Sequence, residues 1–241
     1  MRSLLTPKWV LSHLFAASMV VLMVGLGFWQ LDRLDQRKAD NDQIRAASEA
    51  PSRPIEDLLD DPDVLDHTAV TVAGVYRTDL SFLVANRTFD TQPGSWLATP
   101  VELADGRLVI VSRGWVPRGV VASDELATIA TPTGDVVISG RLFDSVEGGR
   151  IGDGRAVLPE ISRIELGVVT ELLGTEVVGR WVQLELQTPP RGDLPVPVPP
   201  PSLDDGPHLS YAFQWFFFST SGALTYLFIL RRRLRESSDD A

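Results

Sequence analysis

The stretch WVLSHLFAASMVVLMVGLGFWQLDRLDQRK, Trp9 to Lys38, changes solvent part-way along. From Trp9 to Trp29 there is no Asp, Glu, Lys or Arg, and Ser12, His13 and Ser18 are the only polar interruptions. That run is about 20 residues, roughly 30 Å as a helix, enough to cross a hydrocarbon core. It ends on Trp29-Gln30, and charges then arrive at helical spacing, with Gln30, Arg33, Leu34 and Arg37 on one face. Length and the ending GFWQLD fit an uncleaved anchor rather than a signal peptide, whose apolar core is about 7–15 residues before a small-x-small site.

A second run without charge, Leu209 to Leu230, lies towards the other end and is followed by RRRLR, Arg231 to Arg235. Basic residues collect on the cytoplasmic side. The expected layout is therefore a membrane protein of α+β class. Two transmembrane helices, 9–30 and 209–230, flank a mainly antiparallel β domain on the extracytoplasmic side. Residues 1–8, with Arg2 and Lys8, and residues 231–241 are cytoplasmic in this layout, at the cell (plasma) membrane. Arg33, Arg37 and Lys38 run against the charge rule, which invites a functional reason for them.

Between the anchors the pattern predicts a charged helical extension and linker over 31–66. The acidic run EDLLDDPDVLD lacks the spacing and glycine of a calcium loop and reads as a solvated helix and turn. From His67 to Thr188 the sequence alternates. TAVTVAGVY, LSFLVANRTF, SWLATPVEL, RLVIVSRGWVP, GDVVISGRLF and RWVQLEL read as six strands, with a hairpin turn at Ala104 to Gly106. SRIELGVVTELLG, from Ser162, reads as a helix stopped by Gly174. PPRGDLPVPVPPPSLDDGPH, 189–208, reads as a semi-rigid proline-rich spacer.

The 241 residues include no cysteine and three histidines, with a net charge of −10. Disulfides, thiolate metal sites and a cysteine nucleophile are excluded, and an all-histidine metal site is disfavoured. An acidic chain does not seek nucleic acid. No hydrolase, phosphate-loop or metalloprotease signature is present. The glycine-rich GRIGDGRA lacks the strand-to-helix setting of a dinucleotide site and reads as a loop. No enzymatic turnover is expected.

The informative residues cluster at the two outer boundaries, Trp29-Gln30 and HLSYAFQWF from His208. His208, Tyr211 and Trp215 share a helical face and Gln214 sits beside it. Two readings stand. Trp and Tyr anchor at interfaces, Arg snorkels, and one interhelical hydrogen bond docks the pair. Alternatively the tips form a porphyrin site, with His208 as axial nitrogen, Phe213, Trp215, Phe216 and Phe217 as walls, and Arg33 and Arg37 facing propionates.

Several blocks then resemble one family in order. GLGFWQLDRLDQRK resembles the first-span motif of the Surfeit locus protein 1 family. VTVAGVYR, RTFDTQPGSWLATPVEL and VIVSRGWVP resemble its central blocks, and HLSYAFQWFFFS its second span. The region 148–207 is much less similar. The resemblance implies an assembly factor for cytochrome c oxidase, helping haem A insertion or maturation of the catalytic subunit of a haem-copper oxidase. It also implies a transient haem A site at Trp29, Gln30, Arg33 and His208, to which helical spacing adds Tyr211, Gln214 and Trp215. From its domain motif, Arg113, Gly114 and Trp115, it implies that Arg113 and Trp115 face the oxidase subunit. Structural alternatives remain for these: Gly114 at a strand end, Trp115 in a core, Arg113 in a buried pair. A scaffold that grips the subunit without haem is the alternative function.

Overall fold

The structure, a computed structural model, describes residues 6–129, 131–154 and 156–239. Arg2, Arg155 of the glycine-rich loop and residues 240–241 lie outside them. The chain forms two units, a helical one up to Asp42 and from Ser202 on, and a sheet domain over Gln43–Pro201.

The helical unit takes its residues from α1 (Pro7–Glu49) and α4 (His208–Asp239). Both helices are long and apolar enough to cross a membrane. They run antiparallel, pairing His13 with Tyr226, Phe28 with Phe216, and Gln30 with His208. Small buried residues, Gly27 on α1 and Ala212 and Ser219 on α4, allow a close approach. A Cβ on Gly27 would lie 2.5 Å from the Phe216 ring, so that glycine is where the helices press together.

The domain holds β1 (Arg53–Pro54), β2 (Ala69–Tyr76), β3 (Phe82–Phe89), β4 (Gln92–Glu102), β5 (Leu108–Pro117), α2 (Arg118–Val121), β6 (Asp135–Asp144), β7 (Glu160–Ile161), α3 (Leu166–Leu173) and β8 (Arg180–Thr188). The eight strands follow the order β1-β2-β6-β8-β5-β4-β3-β7, and β4 also pairs with β2. That last pairing, Val75 with Glu102 and Tyr76 with Val101, closes a five-stranded ring. Alternate residues of these strands, among them Val70, Val72, Val109, Val111, Ile138, Leu142, Val182 and Leu184, fill its interior.

The sheet is mixed, which corrects the mainly antiparallel expectation. β5 pairs β8 in parallel, as do β1 with β2 and β3 with β7. The parallel β5–β8 seam is what lets the ring close, and it leaves β5 buried on both faces from Leu108 to Val116. Its outward residue Ile110 packs with Phe82, Val84 and Trp181 under α3, through Leu166 and Val169.

Other boundaries shift for local reasons. The predicted helix from Ser162 begins at Leu166, since the Ser162 N–H is taken by the Arg150 carbonyl and the Ile164 carbonyl by the Val146 N–H. It does end at Gly174, whose φ of 65° gives the left-handed cap. The linker region supplies core: Ile55 and Leu58 are fully buried in the ring interior. The proline-rich segment is not a free spacer throughout. Val196 bridges Trp115 through two backbone hydrogen bonds of 2.7 and 2.8 Å, and the Val198 carbonyl accepts from Gln183 Nε2 at 3.1 Å.

Candidate functional site at the helix tips

His208 opens α4 and Gln30 stands where the apolar part of α1 ends. His208 Nδ1 lies 2.9 Å from Gln30 Oε1. An amide oxygen only accepts, so Nδ1 is the donor in this contact. At the other end of the pair, His13 Nδ1 lies 2.6 Å from the Tyr226 hydroxyl, which donates to Ser12 Oγ at 3.2 Å. At about 1.5 Å per residue, His13 and Gln30 are about 25 Å apart along α1. Polar contacts thus bracket an apolar stretch close to the thickness of a hydrocarbon core.

Before α4 the chain is held by a compact turn. Asn41 Nδ2 donates to the Asp204 carbonyl at 3.1 Å, and the Gly206 N–H donates to Asp204 Oδ1 at 2.9 Å. The Ser202 hydroxyl and that Gly206 N–H hold the Asp204 carboxyl below the usual carboxylate range, with Arg37 adding its charge. Arg37, expected to face propionates, thus has a protein carboxylate near it.

The other expected residues divide. At about 100° per residue on antiparallel helices, Trp29 and Arg33 of α1 and Tyr211, Gln214 and Phe218 of α4 fall on one flank of the pair. All five are exposed there, Trp29 by 53% and Tyr211 by 47%. Trp215 is half-buried beside them and meets Phe218 edge-on. Arg33 is engaged along its own helix, donating to Gln36 Oε1 at 2.7 Å, while Gln36 donates to Asp32 at 2.8 Å. Phe216 fills the seam against Gly27 and Phe28 instead of forming a wall. Helical geometry turns Phe213 and Phe217 to other sides of α4. The tips thus hold one imidazole oriented by an amide, its Nε2 edge towards the Gly206 turn, next to a flank of exposed rings.

In the sheet domain, Arg113 and Trp115 are inside, 1% and 4% exposed. The reason is a β-bulge. Leu97 pairs with Gly114 and Ala98 with Ser112, so Arg113 is the extra residue. Its guanidinium lies 5.1 Å from the Tyr76 ring centre and donates to Thr131 Oγ1 at 2.7 Å. Tyr76 in turn donates to Gln187 Oε1 at 3.0 Å. Burial pushes the Tyr76 phenol up to about 12, against the opposing charge of Arg113. Burial also lowers the pKa of Arg113, with Tyr76 opposing. Trp115 donates through Nε1 to the Arg87 carbonyl at 3.1 Å, and Gly94 leaves room for its indole. Both side chains are held inside the domain, with the Trp115 indole bordering a cleft. Their geometry is that of internal struts.

The SURF1 family model matches residues 17–220. The chain belongs to the SURF1 family. It is 31% identical over 222 residues to an uncharacterized SURF1-like protein of Mycobacterium tuberculosis, covering 89% of this chain and 80% of that one. A SURF1-like protein of Rickettsia bellii is 25% identical over 217 residues, covering 86% and 85%. The match runs from within the first apolar helix to within the second and takes in the whole sheet domain, so the paired tips and the Arg113 bulge both lie within the family region.

Proposed function

We propose that this SURF1 family member is an assembly factor for a haem-copper terminal oxidase. It helps haem A reach, or mature, the catalytic subunit and turns over no substrate. In this reading α1 and α4 span the plasma membrane, with both termini cytoplasmic and the sheet domain extracytoplasmic. Arg231 to Arg235 after the second apolar run support that orientation. The observation that carries the reading is the 2.9 Å hydrogen bond between His208 and Gln30. Gln30 fixes the imidazole tautomer and ring orientation, the role that second-shell groups play for ligating histidines. Haem A would be the cargo: His208 would offer it an imidazole nitrogen, and the open flank bearing Trp29, Tyr211, Gln214 and Trp215 would offer it an apolar face.

The test is absorbance of the full chain purified from cells that make haem A. Wild type carries pigment, His208→Ala loses it, and Gln30→Ala keeps less of it with a shifted spectrum. Pigment unchanged in His208→Ala would refute ligation by that residue. A second reading is a scaffold that grips the oxidase subunit without haem. The exposure of Trp29 and Tyr211 favours it, since a partner's membrane helix could cover them. Co-purification of a colourless chain with the oxidase subunit would select it. A deletion strain with normal oxidase activity and haem A content would sink both.

A further inference from the structure

β3 contains a second bulge. Val84 pairs with Trp96 and Arg87 with Gly94, so Ala85 and Asn86 stand against Ser95 alone, with Asn86 at φ 56°. The bulge re-aims Arg87, whose guanidinium lies 4.5 Å from the Trp96 ring centre. This guanidinium is poorly served. Nη2 makes one long hydrogen bond to the Ser162 carbonyl at 3.4 Å, and the buried Nε has no partner. Among the described residues no carboxylate lies within ion-pair distance of Arg87. Burial lowers its pKa, and the charge of another guanidinium, Arg163, lowers it further.

Beside Arg87 is a cleft of about 550 Å³. Phe89, Trp96, Trp115, Val198 and Pro199 line it, with exposed Asp90 also on its border. The far wall is the proline-rich segment, held by the Val196–Trp115 bridge and the Gln183–Val198 hydrogen bond. A cleft of this size, apolar-walled with one unsatisfied charged donor, has the build of a small-molecule site. A half-buried guanidinium without a counter-charge is costly, and a carboxylate removes that cost.

We infer that the Arg87 cleft binds an organic carboxylate carried on a flat apolar body. The inference stands on the sheet domain alone and does not depend on haem at the helix tips. Aromatic walls favour an apolar carboxylate over inorganic phosphate, which has nothing to offer them. The carboxylate can come from a free small molecule or from an acidic side chain between aromatic residues of a polypeptide.

The test uses the full chain in lipid nanodiscs and calorimetric titration with 2-naphthoate and its neutral counterpart 2-naphthamide. Naphthoate binds at least about tenfold more tightly than the amide, about 1.4 kcal/mol. Arg87→Gln removes that preference, and Arg87→Lys keeps part of it. A tripeptide acetyl-Trp-Asp-Trp-amide that outcompetes naphthoate, where its Asn version does not, assigns the polypeptide source. Naphthoate binding more tightly than both assigns the free one. Equal binding of naphthoate and naphthamide to wild type overturns the inference, as does no binding of either at millimolar concentration. That comparison needs no variant, so it holds even if Arg87→Gln fails to fold.

Discussion

Arg113→Ala tests whether the family-like RGW motif is a strut or a contact. The side chain is 1% exposed, so truncation removes everything it touches. A charged donor on the Thr131 hydroxyl at 2.7 Å is worth about 1.5–3 kcal/mol. A desolvated guanidinium over the Tyr76 ring adds about 2 kcal/mol. The lost stem leaves a cavity that costs more, at about 0.8 kcal/mol per methylene. Against these stands relief from burying a charge, an effective several kcal/mol. The net expectation is a loss of about 3 kcal/mol, or a fall of about 6–12 °C in Tm for a domain of this size. Arg113→Met fills the space without the charge and is expected within about 1 kcal/mol of wild type. The assay is near-UV circular dichroism melting of the full chain in nanodiscs. Oxidase activity in a complemented deletion strain, normalised to the amount of the variant, is read beside it. An Arg113→Ala chain that melts like wild type yet loses activity per molecule would refute the strut and restore the partner contact.

Three further outcomes follow from the same geometry. Tyr76 has a folded pKa of about 12 against 10.0 unfolded, so the fold favours its neutral form. That stability is full below pH 10 and is lost as pH rises to 12, at up to about 1.4 kcal/mol per pH unit; Tyr76→Phe flattens this part of the stability–pH curve. Gly114 sits at φ 139° with its missing Cβ aimed at the Val196 carbonyl. Gly114→Ala is expected to cost about 1–3 kcal/mol and to expose the proline-rich segment to limited proteolysis. Gly27→Leu drives a branched side chain into Phe216, whereas Gly27→Ala needs only a swing of that ring. With cysteines in place of Gln30 and His208, a short bismaleimide links the tips in the wild-type background and in Gly27→Ala, but not in Gly27→Leu. The chain has no native cysteine to confuse the readout.

The parts legible in the sequence were those whose physics is local. A run without charge can be read because a hydrocarbon core tolerates nothing else, and alternation marks a strand whatever it pairs with. Pairing between distant strands leaves no such mark, so the parallel β5–β8 seam and the ring it closes were invisible. Leu58 was hidden for a related reason: one fully buried side chain inside an acidic run does not alter the average of the run. At the helix tips, Gln30 and His208 each stood out as polar residues at an apolar boundary. Their contact followed only once the antiparallel register was known. Arg33 has a partner the sequence reading did not name, Gln36, one turn along its own helix.

The two bulges show how one device yields two different outcomes. In each, an extra residue in a strand turns an arginine onto an aromatic ring, Arg113 onto Tyr76 and Arg87 onto Trp96. Arg113 ends 1% exposed with a short bond to Thr131, and its charge is screened from every visitor. Arg87 ends half-exposed at a cleft, with one long bond and a second guanidinium for a neighbour. The sequence singled out the first arginine only through the family-like block around it, and a strand end rather than a bulge was read at Gly114. It gave no sign of the second, where Asn86 carries the left-handed turn. Each leaves its Nε without a hydrogen bond, so access separates the two: Arg113 is sealed in against Tyr76 and Thr131, and Arg87 borders a cleft that a ligand can enter.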